Sequence, residues 1–262
     1  MTYERISRLA SRIGDYLRGN RIVGLSLPEV SPEICPWSTV GAPGSWAPFE
    51  TVYRAGPAML PCLESGMDAE RRIDAVRVLR MLGAESLLCA FGCSALHRGC
   101  VAGSFVIAED HVNCTGENPL RGPNDERLGP RYPDMSAPYD ARWSNDLKRG
   151  AASLGVELQG VVYGRVARSG TGDERDAWAP AGDESAAWSR AGIDVVGEGL
   201  VDEVIAAVHG GLPVAAVGVV EKGLTVDGKV LCSSIPARSE DYGRLAAIIN
   251  QCLLCRGGLD DG

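Results

Sequence analysis

The sequence predicts an α/β fold with a largely parallel central sheet, on three observations. Short apolar runs alternate with amphipathic segments of about ten or more residues from residue 68 onward. No linker separates two halves and no internal repeat is visible, so the 262 residues, 1–262, read as a single domain. A composition of 45% apolar and 23% charged residues supports one sizeable core.

The elements follow in order. Ile6, Leu9, Ala10, Ile13, Tyr16 and Leu17 recur at helical spacing over 4–18, and Gly19-Asn20 stops that helix. The apolar run 21–27 is a strand. Residues 28–67 mix Pro, Gly and Ser without a sustained period and are expected to be irregular, around a mouth or at a subunit contact. Ile73, Val76, Val78, Leu79 and Leu82 predict a helix over 68–81, leading through Gly83 into strand 85–91 and then strand 104–109. The segment 113–135 is polar, rich in Gly, Pro and Asn, and too long for a neutral connector. Helix 136–153, strand 157–164, a polar loop near 169–182, helix 183–191, strand 193–197, helix 200–209, strand 213–220 and helix 238–253 complete the chain.

In such sheets ligands bind outside the carboxyl ends of the strands. That rule singles out Phe91-Gly92-Cys93, Glu198-Gly199, Glu221-Lys222 and the loop near 178–182. Gly170-Thr171-Gly172 lacks the third glycine and the strand-to-helix context of a nucleotide loop.

Charge and thiols exclude several classes. Lys plus Arg number 26 against 34 for Asp plus Glu, a net charge of −8, so the average surface repels nucleic acid. No run approaches a membrane span, and the opening MTYERISRLASRIGDYLRG mixes charges where a signal peptide would be apolar, so a cytoplasmic location is expected. Nine cysteines, an odd number, point to reduced thiols packed as small hydrophobes. A metal or redox site at Cys252-Leu-Leu-Cys255, or at Cys89, Cys93, His97 and Cys100, is the sharper alternative, without the paired spacing of a closed zinc site. No metal is expected.

The run 110–127, DHVNCTGENPLRGPNDER, continuing through 129–136, GPRYPDMS, to Tyr139-Asp140, closely resembles the trimeric purine nucleoside and methylthioadenosine phosphorylases. A second match is IDVVG at 193–197 followed by VDEVIAAVHGGL at 201–212. The resemblance covers most of 70–255. It implies a single domain with a mixed, partly barrelled central sheet flanked by helices, a homotrimer, and reversible phosphorolysis of purine nucleosides to free base and pentose 1-phosphate, with phosphate as co-substrate and no cofactor. That chemistry needs donors and a cation for phosphate, a group that stabilises the departing base, and a sugar held in line.

The resemblance also maps the family's site onto substituted positions. At its phosphate loop stands Gly24-Leu25-Ser26-Leu27-Pro28-Glu29, with Ser26 the only hydroxyl, a proline that lacks an N–H and a repelling glutamate. Its phosphate arginine and histidine fall on Leu60 and Cys62, and the tyrosine and glutamate that follow fall on Glu64 and Ser65. Its base-anchoring pair maps near Ala179-Pro180, its Thr-Asn pair on Glu221-Lys222, the methionine under the sugar on Glu198, the next serine on Gly199 and a histidine on Ser239. The amide of Gly92 is retained. Only Lys222 and Arg165 are evident as cations for the mouth.

Two functions follow. In the first, an enzyme, Glu198 holds the sugar, Gly92 N–H lines the anion site, Lys222 supports the departing base, and Glu64 or Glu221 orients a water for a derived hydrolase; alternatively Glu198 is a solvated or salt-bridged surface residue, paired with Lys222. In the second, the fold serves as a non-catalytic binding or scaffold subunit. Segment 113–135 builds the trimer contact, its Arg121, Asp125, Glu126, Arg127 and Arg131 forming an ionic network, and Leu128 or Tyr132 closes a neighbour's pocket. His111 and His209 are expected to be structural.

Overall fold

The computed structural model of the chain describes residues 3–27, 36–40, 49, 51–64, 68–97, 99–167, 182–223 and 239–257. Glu29, Cys35, Ser65, Gly170-Thr171-Gly172 and Ala179-Pro180 lie outside the described residues.

The chain opens with α1 (Tyr3–Leu17), whose Ile6, Ala10, Ile13 and Leu17 are buried as the spacing requires, and β1 (Arg21–Leu27). A short β2 (Ser38–Thr39) precedes β3 (Thr51–Ala55) and β4 (Ala58–Glu64). These correct the expectation of irregular structure over 28–67. Gly56-Pro57 makes a two-residue hairpin turn in which Gly56 supplies φ +53°. Pro61 has no N–H to donate, and the ladder from β1 passes from Met59 to Cys62.

Next come α2 (Ala69–Met81), capped by Asp68 on the Arg71 N–H, then β5 (Ser86–Ala95) and β6 (Phe105–Asn113). The β5–β6 link is too short for a parallel crossover, and β6 accordingly runs antiparallel to β9 while β5 runs parallel to it. Strand β6 extends beyond residue 109 through a bulge between Ala108 and Asp110. Helix α3 (Ala141–Ser153) starts five residues later than the periodicity suggested, because the Asp140 carboxylate accepts from the Arg142 and Trp143 N–H groups and fixes the start there. The rest is β7 (Leu158–Arg165), α4 (Gly182–Arg190), β8 (Val195–Gly197), α5 (Val201–Gly210), β9 (Val214–Lys222) and α6 (Ser239–Gly257).

The described strands form one sheet in the order β2-β3-β4-β1-β5-β8-β7-β6-β9, with β5 also paired to β9. Five strands therefore close into a barrel and the other four extend from β5 as an open wing. The sheet is mixed: β5–β8, β6–β9 and the β2–β3–β4 meander are antiparallel, against the largely parallel sheet that the helix–strand alternation alone predicted. Helices α1, α2 and α5 cover one face, and α3 and α6 the other. No described helix is long and apolar enough to cross a membrane.

Thiols are part of this core. Cys62, Cys89, Cys93, Cys100 and Cys252 are buried, and burial pushes the Cys89 and Cys93 thiols well up. His97 is engaged structurally: Gly99 N–H donates to Nδ1 at 3.0 Å, and Nε2 lies 2.8 Å from Asp194 Oδ1. Among the described residues, no group of three or more His, Cys, Asp and Glu is placed to hold a metal ion.

One buried carboxylate opposes the packing of α1 on α2. Asp74 is 1% exposed, and its nearest cation is Arg5, at 3.5 Å. Burial raises its pKa to about 6, against the pull of Arg5 and Arg77 and with the help of Glu70. The folded state thus binds this proton more tightly than the unfolded chain, and stability falls as pH rises from about 4 through about 6. Asp74→Asn is expected to stabilise the protein by about 1–2 kcal/mol at pH 7.5, with the gain fading towards pH 4. Urea melts of both proteins at the two pH values measure this.

Candidate functional site

A cavity of about 370 Å³ opens where the carboxyl ends of β1, β7 and β8 meet the first turns of α2 and α5, a volume suited to a small molecule. Ser26 enters from β1, Gly92 from β5, Arg72 from α2, Arg165 from β7, Glu198 and Gly199 from the β8–α5 connection, and Asp202 and Glu203 from α5.

Arg72 shares a helix face with Val76 and Leu79, which carries its guanidinium inward. Its Nε donates to Glu203 Oε1 at 2.6 Å, and a terminal nitrogen donates to the same oxygen and to Ser26 Oγ at 3.1 Å. Glu203 is 3% exposed, and among the described residues its Oε2 has no hydrogen-bond partner. Arg165 forks onto Asp202 at 2.9 and 2.8 Å and donates to Thr115 Oγ1 at 3.1 Å and Glu117 Oε2 at 3.0 Å. Burial raises the Asp202 pKa, and Arg165 opposes the rise. The described lining therefore sets two guanidiniums against three carboxylates, those of Glu198, Asp202 and Glu203.

Backbone geometry adds a second feature. Leu200 has φ +72° and ψ −56°, and the Val201 N–H donates to Gly199 O at 2.9 Å. This is a γ-turn at a non-glycine residue, a strain of about 1–3 kcal/mol of the kind held at ligand sites. It fixes Glu198 and Gly199 at the wall, above Tyr163, which packs edge-on against Phe91 with ring centroids 5.1 Å apart.

A family model described as the phosphorylase superfamily matches residues 48–239. The chain belongs to the phosphorylase superfamily. Purine nucleoside phosphorylase 1 of Bacillus subtilis (strain 168) is 35% identical over 170 residues, 62% of this chain and 60% of that protein. Purine nucleoside phosphorylase of Bos taurus is 36% identical over 161 residues, 58% of this chain and 52% of that one. The matched chain thus spans between 52% and 60% of these relatives' length. Purine nucleoside phosphorylase of Schistosoma mansoni, complexed with a novel monocyclic inhibitor, shares the fold with a TM-score of 0.75 over 96% of each chain at 20% identity. Isoform 2 from the same organism, in complex with cytosine and ribose-1-phosphate, gives 0.78 over 99% of this chain and 98% of that one at 22% identity. The mixed, barrelled α/β architecture is that of the nucleoside phosphorylases.

In this superfamily member, Ser26, Gly92, Glu198 and Gly199 meet in one cavity, together with Arg165. Glu221 and Lys222 do not line it. The Glu221 carboxylate turns towards α6 and accepts from the Tyr242 hydroxyl, and burial beside that carboxylate pushes the tyrosine's pKa up. Tyr132 is 87% exposed and lines a different recess, with His111, Arg121 and Arg131. Glu64 ends β4 level with Leu27; Leu60 and Cys62, earlier on β4, are buried. The 113–135 segment is braced by its own contacts and by α1: Arg127 pairs with Asp125 and with Glu4 of α1, and Arg131 donates to the carbonyls of Leu120 and Gly122.

Arg72, Asp202 and Glu203 were missed. Arg72 stands in a Glu-Arg-Arg run that resembles a solvated first turn, and the available signal was its spacing to Val76 and Leu79. Asp202 and Glu203 were absorbed into the second family motif.

Gly92 has a steric reason to be glycine: a Cβ there would overlap the Glu221 carboxylate and approach the Tyr242 hydroxyl at 2.7 Å. Gly92→Ala is expected to cost about 1–3 kcal/mol. In a Glu221→Ala background the same substitution is expected to cost much less, a coupling that a double-mutant cycle by chemical denaturation reads directly.

Proposed function

We propose that this protein binds a purine nucleoside in the cavity, holding the pentose through Glu198, without phosphorolysis at a rate useful to metabolism. The observation that carries this reading is that both described arginines of the cavity are clamped by carboxylates, Arg72 by Glu203 and Arg165 by Asp202. A phosphate dianion would have to pull a guanidinium away from its partner and leave a buried carboxylate uncompensated, at a cost of about 3–5 kcal/mol. A neutral diol faces no such cost, since Glu198, exposed on the cavity wall, can accept two hydroxyl hydrogens. The chain's expected setting is a homotrimer without a cofactor, as the family resemblance implies, and its odd number of cysteines fits a reducing, cytoplasmic location.

One observation favours a second reading. Arg72 stands beside Ser26 Oγ at 3.1 Å, in the cavity that Gly92 also lines, so a cation is present in the mouth after all, supplied by α2 and not by β4. In that case phosphate is the co-substrate and Glu203 must yield Arg72 to it.

Inosine, guanosine and methylthioadenosine separate the two. Binding is expected to raise the melting temperature in the absence of phosphate, with the rise abolished in Glu198→Ala, and with no base released above background. Phosphate-dependent release of base that is lost in Arg72→Ala would overturn the first reading in favour of the second.

A further inference from the structure

The end of the sheet opposite the cavity holds a third recess, of about 660 Å³, bordered by the start of β1, the residue before β5, α3 and the end of α6. Four arginines line it, Arg21, Arg142, Arg149 and Arg256, against two carboxylates, Glu85 and Asp146. In a chain of net charge −8 this is a local reversal of sign.

The arginines are held in place. Arg142, Asp146 and Arg149 recur along one face of α3, at i, i+4 and i+7. Asp146 is 5% exposed and accepts from Arg149 on one oxygen and from Arg256 on the other. Arg256 is further fixed with its guanidinium carbon 3.7 Å from the centroid of the Trp143 ring. Arg21 forks onto Glu85 at 2.8 and 2.9 Å. A guanidinium has five N–H donors, so Arg149 and Arg256 each keep donors beyond those that Asp146 occupies. Among the described residues, the Arg142 side chain has no carboxylate partner.

We propose that this recess binds a small polyanion carrying two or more linked phosphate groups. The excess of two positive charges, the several planar forks converging on one recess and its small-molecule volume favour phosphates, which guanidinium forks match in pairs. A folded acidic partner would need roughly 800 Å² of surface on each side, whereas these charges converge on a single concavity. The proposal is independent of the nucleoside reading, because Arg21 and Ser26 stand near opposite ends of β1.

Inorganic tripolyphosphate and ATP are the probes, titrated calorimetrically into the full chain at low salt. Saturable binding of tripolyphosphate is expected, weakened when salt is raised from about 50 mM to about 300 mM. Comparable affinity for ATP assigns the contact to the phosphates alone, and tighter binding of ATP adds a nucleoside contribution; either supports the site. Arg142→Ala is expected to weaken binding about tenfold and Arg142→Glu to abolish it, both leaving the nucleoside-induced melting shift as in the unmodified chain. The proposal is overturned if neither probe binds saturably at low salt. It is equally overturned if Arg142→Glu binds like the unmodified chain, or if a hexaglutamate peptide binds as tightly as tripolyphosphate.

Discussion

Strand β5 is hydrogen-bonded to three others, β1, β8 and β9, and this triple pairing holds the architecture together. Its first half runs parallel between β1 of the open wing and β9 of the barrel. Opposite the Cys93–Ser94 step β9 carries an extra residue, Glu221, a bulge that bends the pairing, and past it the last residues of β5 pair antiparallel with β8 to close the barrel. Such a strand must be apolar on both faces and tolerate close neighbours, and SLLCAFGCSA meets both demands. Phe91 projects over Gly218, where any side chain would collide with its ring, and Gly92 leaves room on the other side for Glu221 and Tyr242. The cavity sits beside this bend because that is where β1 ends while β5 continues, so the sheet itself leaves a gap.

What fills the gap's wall is a set of matched charges. Arg72 reaches in from α2 and Glu203 from α5, so their pairing ties the two helices together across the mouth as well as balancing charge. Arg165 does the same for β7, the β6–α3 loop and α5 through Thr115, Glu117 and Asp202. These arginines are structural cross-links first. A ligand can use them only by competing with a carboxylate at hydrogen-bond distance, which weighs against a dianion and leaves a diol unaffected. Leu200, held at positive φ between the two acidic positions, keeps that arrangement from relaxing outward.

Most of the fold was legible. The helices and barrel strands carry apolar periodicities strong enough to be read locally, and the 110–140 run carries the family. The β3–β4 hairpin was not legible, because Pro57 and Pro61 are breakers unless one knows that the turn wants a residue of fixed φ and that the ladder skips Pro61. Barrel closure was legible only through the family resemblance, since nothing local in β9 says that it pairs on one edge with β5 and on the other with β6. At the site, Ser26, Gly92, Glu198, Gly199 and Arg165 could be placed from the family's strand ends. Glu221 could not, since alternation along β9 places consecutive residues on opposite faces and a one-residue uncertainty reverses the outcome. Arg72 was hidden because a charged residue on a helix is ordinarily read as solvated, and only the packing of α2 on α5 turns it inward.

The net charge of −8 is also a poor guide to what each end of the molecule meets. At the carboxyl ends of the strands, acids outnumber arginines and every described guanidinium is committed to a carboxylate. At the amino ends, arginines outnumber acids two to one around Asp146, and that buried carboxylate orients the guanidiniums of Arg149 and Arg256 without cancelling the local excess. Salt screens charges over roughly 8–10 Å, so ends separated by most of a strand's length act on ligands independently. On the two proposals made above, the same acidic chain rejects phosphate at one end and attracts it at the other, and the placement of its arginines, more than their number, determines which occurs.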